Sequence, residues 1–115
     1  GGELVLRFDP STSEVCAPHG SWSSLASHRA YWRMLVELVE RRREQPGRGI
    51  ALEELWTAGW PGERAAHGAW QNRVYVGLSF LRANGLRRWI LRREDGYLLD
   101  PAIVVVQVDG RERAD

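Results

Sequence analysis

The residues best suited to chemistry in this chain are arginines and one asparagine in its C-terminal half. Asn72 and Arg73 begin a segment with helical periodicity, Arg82 ends it, and Arg92 and Arg93 follow shortly afterwards. An asparagine amide can form two hydrogen bonds with the edge of a base, and an arginine guanidinium can form two with guanine or phosphate. These residue types in this order indicate contacts with double-stranded DNA.

The charge of the whole chain gives this prediction little support. Sixteen basic residues against fifteen acidic ones leave a net charge of +1, whereas a pronounced basic patch is the usual mark of a nucleic-acid-binding domain. All sixteen basic residues are arginine, and a GC-rich genome is the larger cause of that bias. The prediction therefore rests on where the arginines lie.

Other kinds of chemistry find little basis in the sequence. Cys16 is the only cysteine, which excludes an internal disulfide and a zinc site built on paired thiolates. His19, His28 and His67 are far apart and lack metal-binding spacing. No Ser-His-Asp set, carboxylate pair or glycine-rich phosphate loop occurs at usable spacing. We expect no enzymatic activity, no metal and no cofactor.

The length of 115 residues predicts one domain with a single modest core. No apolar run approaches the roughly 20 residues that span a bilayer, and no basic stretch followed by an apolar one marks an export signal. We expect a cytoplasmic protein without membrane contact, and the chain can be part of a larger protein.

The predicted domain covers residues 3–109. It comprises N-terminal strands at 3–26, a three-helix core at 27–85, and a hairpin with a C-terminal strand at 88–108. A flexible tail is predicted at 110–115.

Three short runs with β propensity open the chain. Residues 4–8, 14–17 and 22–25 form these runs, and turn residues such as Asp9-Pro10 separate them. They predict a small antiparallel sheet at the N-terminus.

Three helices are predicted next, each from apolar residues at helical spacing. The first covers 28–44, with Ser27 as its N-cap, and the second covers 52–58. The third begins at residue 65 or 69 and ends at 83, where Asn84-Gly85 favours a left-handed helix end.

A β-hairpin follows the third helix. Residues 89–93 and 97–99 flank Glu94-Asp95-Gly96, and Asp-Gly between apolar runs is a strong hairpin signal. Tyr97 is interpreted as a packing residue that holds the hairpin against the core, and residues 103–108 are predicted to form one more strand.

The third helix has two predicted faces. Val74, Leu78 and Leu81 have the spacing of a buried face. A rotation of about 100° per residue predicts an outward face elsewhere on the helix. Its predicted members are Ala69, Arg73, Val76 and Phe80, with Asn72 beside them.

Several short motifs follow one another at characteristic spacing. They are Pro46-Gly47, Leu52-Glu-Glu-Leu55, Gly59-Trp-Pro-Gly-Glu63, Asn72-Arg73, Leu78-Ser-Phe-Leu-Arg82 and Gly96-Tyr97. In these motifs and their order the chain resembles the winged-helix DNA-binding domains of OmpR/PhoB-type response regulators and of the SARP/BTAD group of bacterial antibiotic regulators. The resemblance covers residues 4–99. It implies an α+β fold, a winged helix-turn-helix with the hairpin as its wing, and a role in bacterial transcription regulation.

The resemblance also implies roles for the matching residues. In such domains the third helix enters the major groove and the wing lies against the minor groove or the backbone. The residues implied to lie near base edges are Asn72, Arg73, Val76 and Phe80. Those implied near phosphate or in the wing's contact are Arg82, Arg92 and Arg93. Trp60 would lie in the loop between the second and third helices, where it could contact a partner protein such as RNA polymerase.

The outward face of the third helix leaves a second function open. Related regulators commonly carry an arginine near the position of Phe80 and a longer polar residue near Gly77. Here Val76 and Phe80 form an apolar pair instead, which can contact a thymine methyl group or a protein. The alternative function is a degenerate winged helix that binds protein within a larger multidomain protein.

Charges near the predicted wing keep structural interpretations open as well. Glu94 and Asp95 weaken attraction to a phosphate backbone. Arg73 has an alternative interpretation as a solvated side chain, and Arg82 as the partner of a carboxylate.

Overall fold

The computed structural model describes residues 2–110, and the predicted tail beyond Gly110 lies outside the described residues. Within residues 2–110 the protein is α+β, with three α-helices, a small sheet and a C-terminal hairpin. The elements in chain order are β1 (Val5–Asp9), β2 (Glu14–Cys16), β3 (Trp22–Ser24), α1 (Arg29–Glu44), α2 (Leu52–Gly59), α3 (Ala69–Leu81), β4 (Ile90–Arg93), β5 (Gly96–Leu99) and β6 (Val104–Gln107).

The first sheet has four strands in the order β3-β2-β1-β6. Its first three strands pair antiparallel, as predicted, but β6 lies on the far side of β1 and runs parallel to it. The amide of Val104 donates to the carbonyl of Leu4 at 2.7 Å, and that of Val108 to Phe8 at 2.9 Å. The predicted antiparallel N-terminal sheet is therefore present in β1, β2 and β3, but the sheet is larger than predicted, because the C-terminal strand β6 also pairs with β1.

An arginine of α1 fixes the approach to β6. The Arg42 guanidinium donates to the carbonyl oxygens of Pro101 and Ile103 at 2.7–2.9 Å through Nη2. Ile103 is fully buried. These contacts connect residues about sixty positions apart, which explains why a local pattern did not predict the strand's partner.

Helix α1 is the central element of the core and buries Trp32, Met34, Leu35, Leu38 and Val39. It begins one residue later than predicted, because His28 and not Ser27 occupies the N-cap position, without a side-chain capping bond. The amide of His28 donates to the carbonyl of the buried Leu25 at 3.0 Å, in a turn that sets the start of the helix.

Helices α2 and α3 pack beside α1. The end of α2 is held by Arg33, whose Nε and Nη2 donate to the Gly59 carbonyl at 2.9 and 2.7 Å. Helix α3 starts at the later of its two predicted positions, after Gly68, whose φ is +84°. It is followed by a kink within Arg82–Leu86, where Asn84 leaves the helical conformation and Gly85 has a φ of +104°, as the left-handed end predicted at Asn84-Gly85 requires.

The predicted hairpin is present as β4 and β5, with Ile90 opposite Leu99 and Arg93 opposite Gly96. A third segment joins it, because Ile50 and Tyr97 exchange two backbone hydrogen bonds of 2.7 and 3.0 Å. Tyr97 is only 7% exposed, which confirms it as a packing residue. The hairpin is thereby attached to the segment that leads into α2.

One hydrophobic cluster joins the sheet, the helices and the hairpin. Val74, Leu78 and Leu81 of α3 are buried within it, so the predicted core face of this helix is confirmed.

Among residues 2–110, no helix combines the length and apolar composition needed to cross a membrane.

Candidate nucleic-acid interface

The solvent-exposed residues of α3 are Ala69, Asn72, Arg73, Tyr75, Val76 and Ser79. We call the uncharged row of Asn72, Tyr75, Val76 and Ser79 the α3 stripe, and Arg73 lies at its edge. Residues spaced three and four apart lie above one another on a helix, so these four side chains form one continuous row. Tyr75 is 46% and Val76 48% exposed, and both are among the few large apolar residues that the fold leaves open. The stripe carries no charged side chain.

Phe80 lies off the α3 stripe, contrary to its predicted place on the outward face. Its ring stacks on His28 with centroids 4.3 Å apart and lies 5.1 Å from the ring of Tyr31. The side chain is half-buried and packed against the core cluster. The predicted pairing of Val76 with Phe80 as one outward apolar surface is therefore wrong, because the start of α1 covers Phe80.

Gly77 also faces the protein and not the solvent. A Cβ atom at this position would lie 2.7 Å from Met34 Sδ and 3.0 Å from Tyr31 Cδ1, both on α1. The glycine thus permits the close crossing of α1 and α3. The exposed side of α3 contains the predicted Ala69, Asn72, Arg73 and Val76 and extends further, to Tyr75 and Ser79.

Arg73 is exposed but directed toward the loop between α2 and α3. Its Nη1 donates to Glu63 Oε1 at 2.6 Å, and its guanidinium lies 5.8 Å from the centre of the Trp56 ring. Both charged side chains are nearly half exposed, and such surface ion pairs contribute only about 0–1 kcal/mol. Arg73 is therefore held beside the stripe by a contact that a stronger partner could replace.

Arg82 has a structural contact that the sequence did not indicate. Its Nη2 donates to the Ile90 carbonyl at 3.2 Å, and its guanidinium lies 5.7 Å from the centre of the Tyr97 ring. The open alternative, a carboxylate partner, does not occur among the hydrogen bonds of the described residues. Arg82 joins the end of α3 to the hairpin.

Arg92 and Arg93 are both exposed on β4. The guanidinium of Arg92 lies 5.9 Å from the Tyr97 ring centre, so this side chain rests on a buried aromatic residue and keeps its donors available. Together with Tyr75 of α3 and Leu52 of α2, these arginines line a shallow cleft between the helices and the hairpin, and the carboxylates of Glu94 and Asp95 line it too. The cleft brings the predicted wing residues next to the α3 stripe.

One of the two carboxylates at the hairpin tip is used inside the protein. Asp95 Oδ2 accepts a hydrogen bond from the buried amide of Gly49 at 2.8 Å, whereas Glu94 is exposed. Asp95 therefore anchors the hairpin turn to the segment before α2.

Replacing Asp95 with alanine should lower the free energy of unfolding by about 1–3 kcal/mol, because the Gly49 amide loses its acceptor while it stays buried. Asp95→Asn, which keeps an acceptor oxygen, should lose less. Urea unfolding of both variants measures the difference. Glu94→Ala is the matched control and should change stability by less than about 0.5 kcal/mol; equal losses at the two positions would show that the anchor is not structural.

Trp60, the predicted partner contact, is half-buried at the end of α2. Its ring stacks on Trp56 with centroids 5.0 Å apart and meets Tyr31 edge-on at 6.3 Å. The ring thus supports the packing of α2 on α1, and its remaining exposed surface lies beside Trp56.

Charge is distributed unevenly over the surface. Exposed arginines follow one another around the hairpin, at positions 87, 88, 92 and 93. A groove between α1 and α2 is instead lined by Glu37, Glu53 and Glu54. The hairpin side therefore carries four exposed arginines against two exposed carboxylates, Glu94 and Asp95. In the α1–α2 groove one of the three carboxylates, that of Glu54, is paired with Arg41.

Tyr75 and Ser79 were missed by the sequence prediction, although a helical projection indicates Ser79. Val74, Leu78 and Leu81 define the buried direction of α3, and the opposite direction falls between Asn72 and Val76 on a helical projection. Ser79 lies about 50° from that direction, whereas Tyr75 lies about 90° from it, farther than Phe80. The exposure of Tyr75 is therefore decided by the packing of α3 against α1.

The described part of the chain, residues 2–110, contains no candidate metal site. Within residues 2–110, no three His, Cys, Asp or Glu side chains are grouped as metal ligands, and Cys16 is buried.

No model of a known protein family matches the sequence, and no curated protein matches it.

Proposed function

We propose that this chain is a winged-helix domain that binds double-stranded DNA in a bacterial transcription regulator, with α3 in the major groove and the β4–β5 hairpin as the wing. The observation that carries the proposal is the cleft that Tyr75 of α3 lines together with the exposed Arg92 and Arg93 of the hairpin. A helix that enters the major groove needs side chains that hydrogen-bond to base edges or pack against them, and cationic groups at its side for the phosphates.

Several contacts support this arrangement. Ile50 and Tyr97 hold the hairpin against the segment before α2, and Arg82 holds it against the end of α3. The hairpin and α3 are thereby positioned by the core cluster, so both can contact one duplex without a folding step. Asp95, which would repel phosphate, is engaged with Gly49.

In this proposal each predicted contact residue has a place. Asn72 and Val76 face bases, and Arg92 and Arg93 face phosphates. Arg73 contacts a phosphate after its ion pair with Glu63 is broken. Arg82 positions the hairpin and Phe80 supports α3 from α1. Trp60 stays available to a partner such as polymerase, and no cofactor takes part.

A salt titration tests the proposal. Fluorescence anisotropy with a pool of randomised 25-base-pair duplexes should give binding that weakens steeply between 50 and 200 mM salt, with a slope of about −0.9 per phosphate neutralised. Binding that is absent at low salt, or that does not change with salt, would contradict the proposal.

The alternative is a winged helix that binds protein, and one observation favours it. Trp56, Trp60 and Trp70 form a half-buried aromatic row along α2 and the start of α3, and exposed aromatic surface of this kind is enriched at protein interfaces. Failure of the salt titration would favour this function over DNA binding.

A further inference from the structure

The chemistry of the α3 stripe restricts which bases it can read. Its four side chains offer an amide, a phenol, an isopropyl group and a hydroxyl, at Asn72, Tyr75, Val76 and Ser79. None of them is a guanidinium or an ammonium group. Arginine and lysine make the commonest specific contact with guanine, through its O6 and N7 atoms.

The arginines closest to the stripe are directed elsewhere. Arg73 is paired with Glu63 at the loop between α2 and α3, and Arg82 donates to the Ile90 carbonyl of the hairpin. Arg92 and Arg93 lie on the hairpin, where they flank the stripe at the cleft. In this conformation no guanidinium projects from the middle of the stripe.

The remaining groups fit A·T base pairs. An asparagine amide pairs with the N6 and N7 atoms of adenine, and an apolar side chain contacts the C5 methyl group of thymine. Asn72 and Val76 lie one helical turn apart, about 6 Å. Since base pairs are stacked about 3.4 Å apart along the duplex, these two residues reach bases roughly two steps apart.

Tyr75 extends the apolar part of the stripe toward the hairpin. Its ring is 46% exposed and borders the cleft with Arg92 and Arg93. Contact of such exposed aromatic and aliphatic side chains with thymine methyl groups lowers the free energy of binding, because it removes apolar surface of both partners from water.

We propose that α3 reads thymine-containing A·T pairs in the major groove, with Val76 and Tyr75 contacting thymine methyl groups and Asn72 contacting adenine, and that it does not read guanine. The proposal rests on the proposed DNA-binding function and adds the class of base that the site recognises. Base discrimination then depends on methyl groups, and the arginines contribute affinity through the phosphates.

The test uses a duplex obtained by selection from a randomised pool with this protein. The same duplex is synthesised with 2′-deoxyuridine in place of thymidine, which removes only the C5 methyl groups. Affinity measured by anisotropy should fall about fourfold for each contacted thymine. Replacing guanine with 7-deazaguanine, which removes the N7 acceptor, should leave affinity unchanged at the positions under α3.

Protein variants connect the methyl effect to the stripe. Val76→Ala should weaken binding to the thymine duplex severalfold and reduce the difference between the thymine and uracil duplexes. Tyr75→Ala should also bind less tightly. Val104→Ala is the matched control, because Val104 is an exposed valine on β6, 37% open, in the other sheet. Thermal unfolding of each variant confirms that it is folded.

Two results would overturn the inference while leaving DNA binding intact. One is equal affinity for the thymine and uracil duplexes in the parent protein. The other is a selected site whose binding is abolished by 7-deazaguanine under α3. Absence of binding to any duplex would instead remove the proposed function on which the inference rests.

Discussion

Replacement of Gly96 with alanine should lower the free energy of unfolding by about 3–5 kcal/mol. Gly96 has a φ of +132°, and a Cβ atom there would lie 2.1 Å from the carbonyl oxygen of Ile50. The unfavourable backbone conformation alone costs about 1–3 kcal/mol. The close approach also forces the hairpin away from Ile50, which weakens two backbone hydrogen bonds worth about 1 kcal/mol each.

Thermal unfolding followed by circular dichroism measures this loss, which corresponds to a decrease in Tm of about 10–25 °C. Gly47→Ala is the matched control. Gly47 has a φ of +89°, but no atom lies within 4 Å of the position that a Cβ atom would occupy. This variant therefore measures the free-energy cost of the backbone conformation without a steric clash. If both alanine variants lose equal stability, the close packing of the hairpin against Ile50 has no energetic importance.

The double replacement Arg92→Ala/Arg93→Ala should weaken DNA binding about 100-fold at moderate salt. A hydrogen bond to a charged group contributes about 1.5–3 kcal/mol, and 1.4 kcal/mol corresponds to a tenfold change in affinity. Both arginines are exposed on β4, so the fold should retain its stability. The salt dependence of binding should fall by about two units of slope, since two phosphate contacts are lost.

The pair Arg7→Ala/Arg43→Ala provides a control of equal charge change. Arg7 is exposed on β1 and Arg43 lies over the ring of Phe8, so both belong to the surface near the four-stranded sheet. This variant should lose little affinity beyond a small long-range effect. Equal losses in the two double variants would show that binding follows net charge and not a site at the hairpin.

Local patterns predicted a large part of this fold. The buried face of α3 at Val74, Leu78 and Leu81 and the hairpin around Asp95-Gly96 are both present. These features depend on helical periodicity and on the turn preference of a few adjacent residues, which a single segment contains. The helix bounds differ from the predictions by one or two residues for α1, α2 and the end of α3.

Long-range pairing was not predictable in the same way. Val5 and Val104 are paired in neighbouring parallel strands, although almost the whole chain separates them. Nothing in the valine run of β6 specifies which strand it joins. Its partner is selected by the turn that Arg42 fixes and by the burial of Ile103.

In the candidate site, too, some positions were predicted from local patterns and others depend on distant parts of the chain. Asn72 and Val76 were predicted to be accessible and are exposed, because the core spacing of α3 leaves their direction free. Phe80 and Gly77 were placed wrongly, because their surroundings are set by His28, Tyr31 and Met34 of another part of the chain.

The sequence by itself determined the order of the elements, the core side of α3 and the position of the hairpin, since each follows from backbone geometry and burial preferences within a short segment. Only the tertiary structure decided which arginines remain available. Arg73 and Arg82 acquire partners through packing between elements, whereas Arg92 and Arg93 stay exposed beside Tyr75. The physical reason is that a side chain's partners depend on distances between segments, and these are established only when the shared core forms.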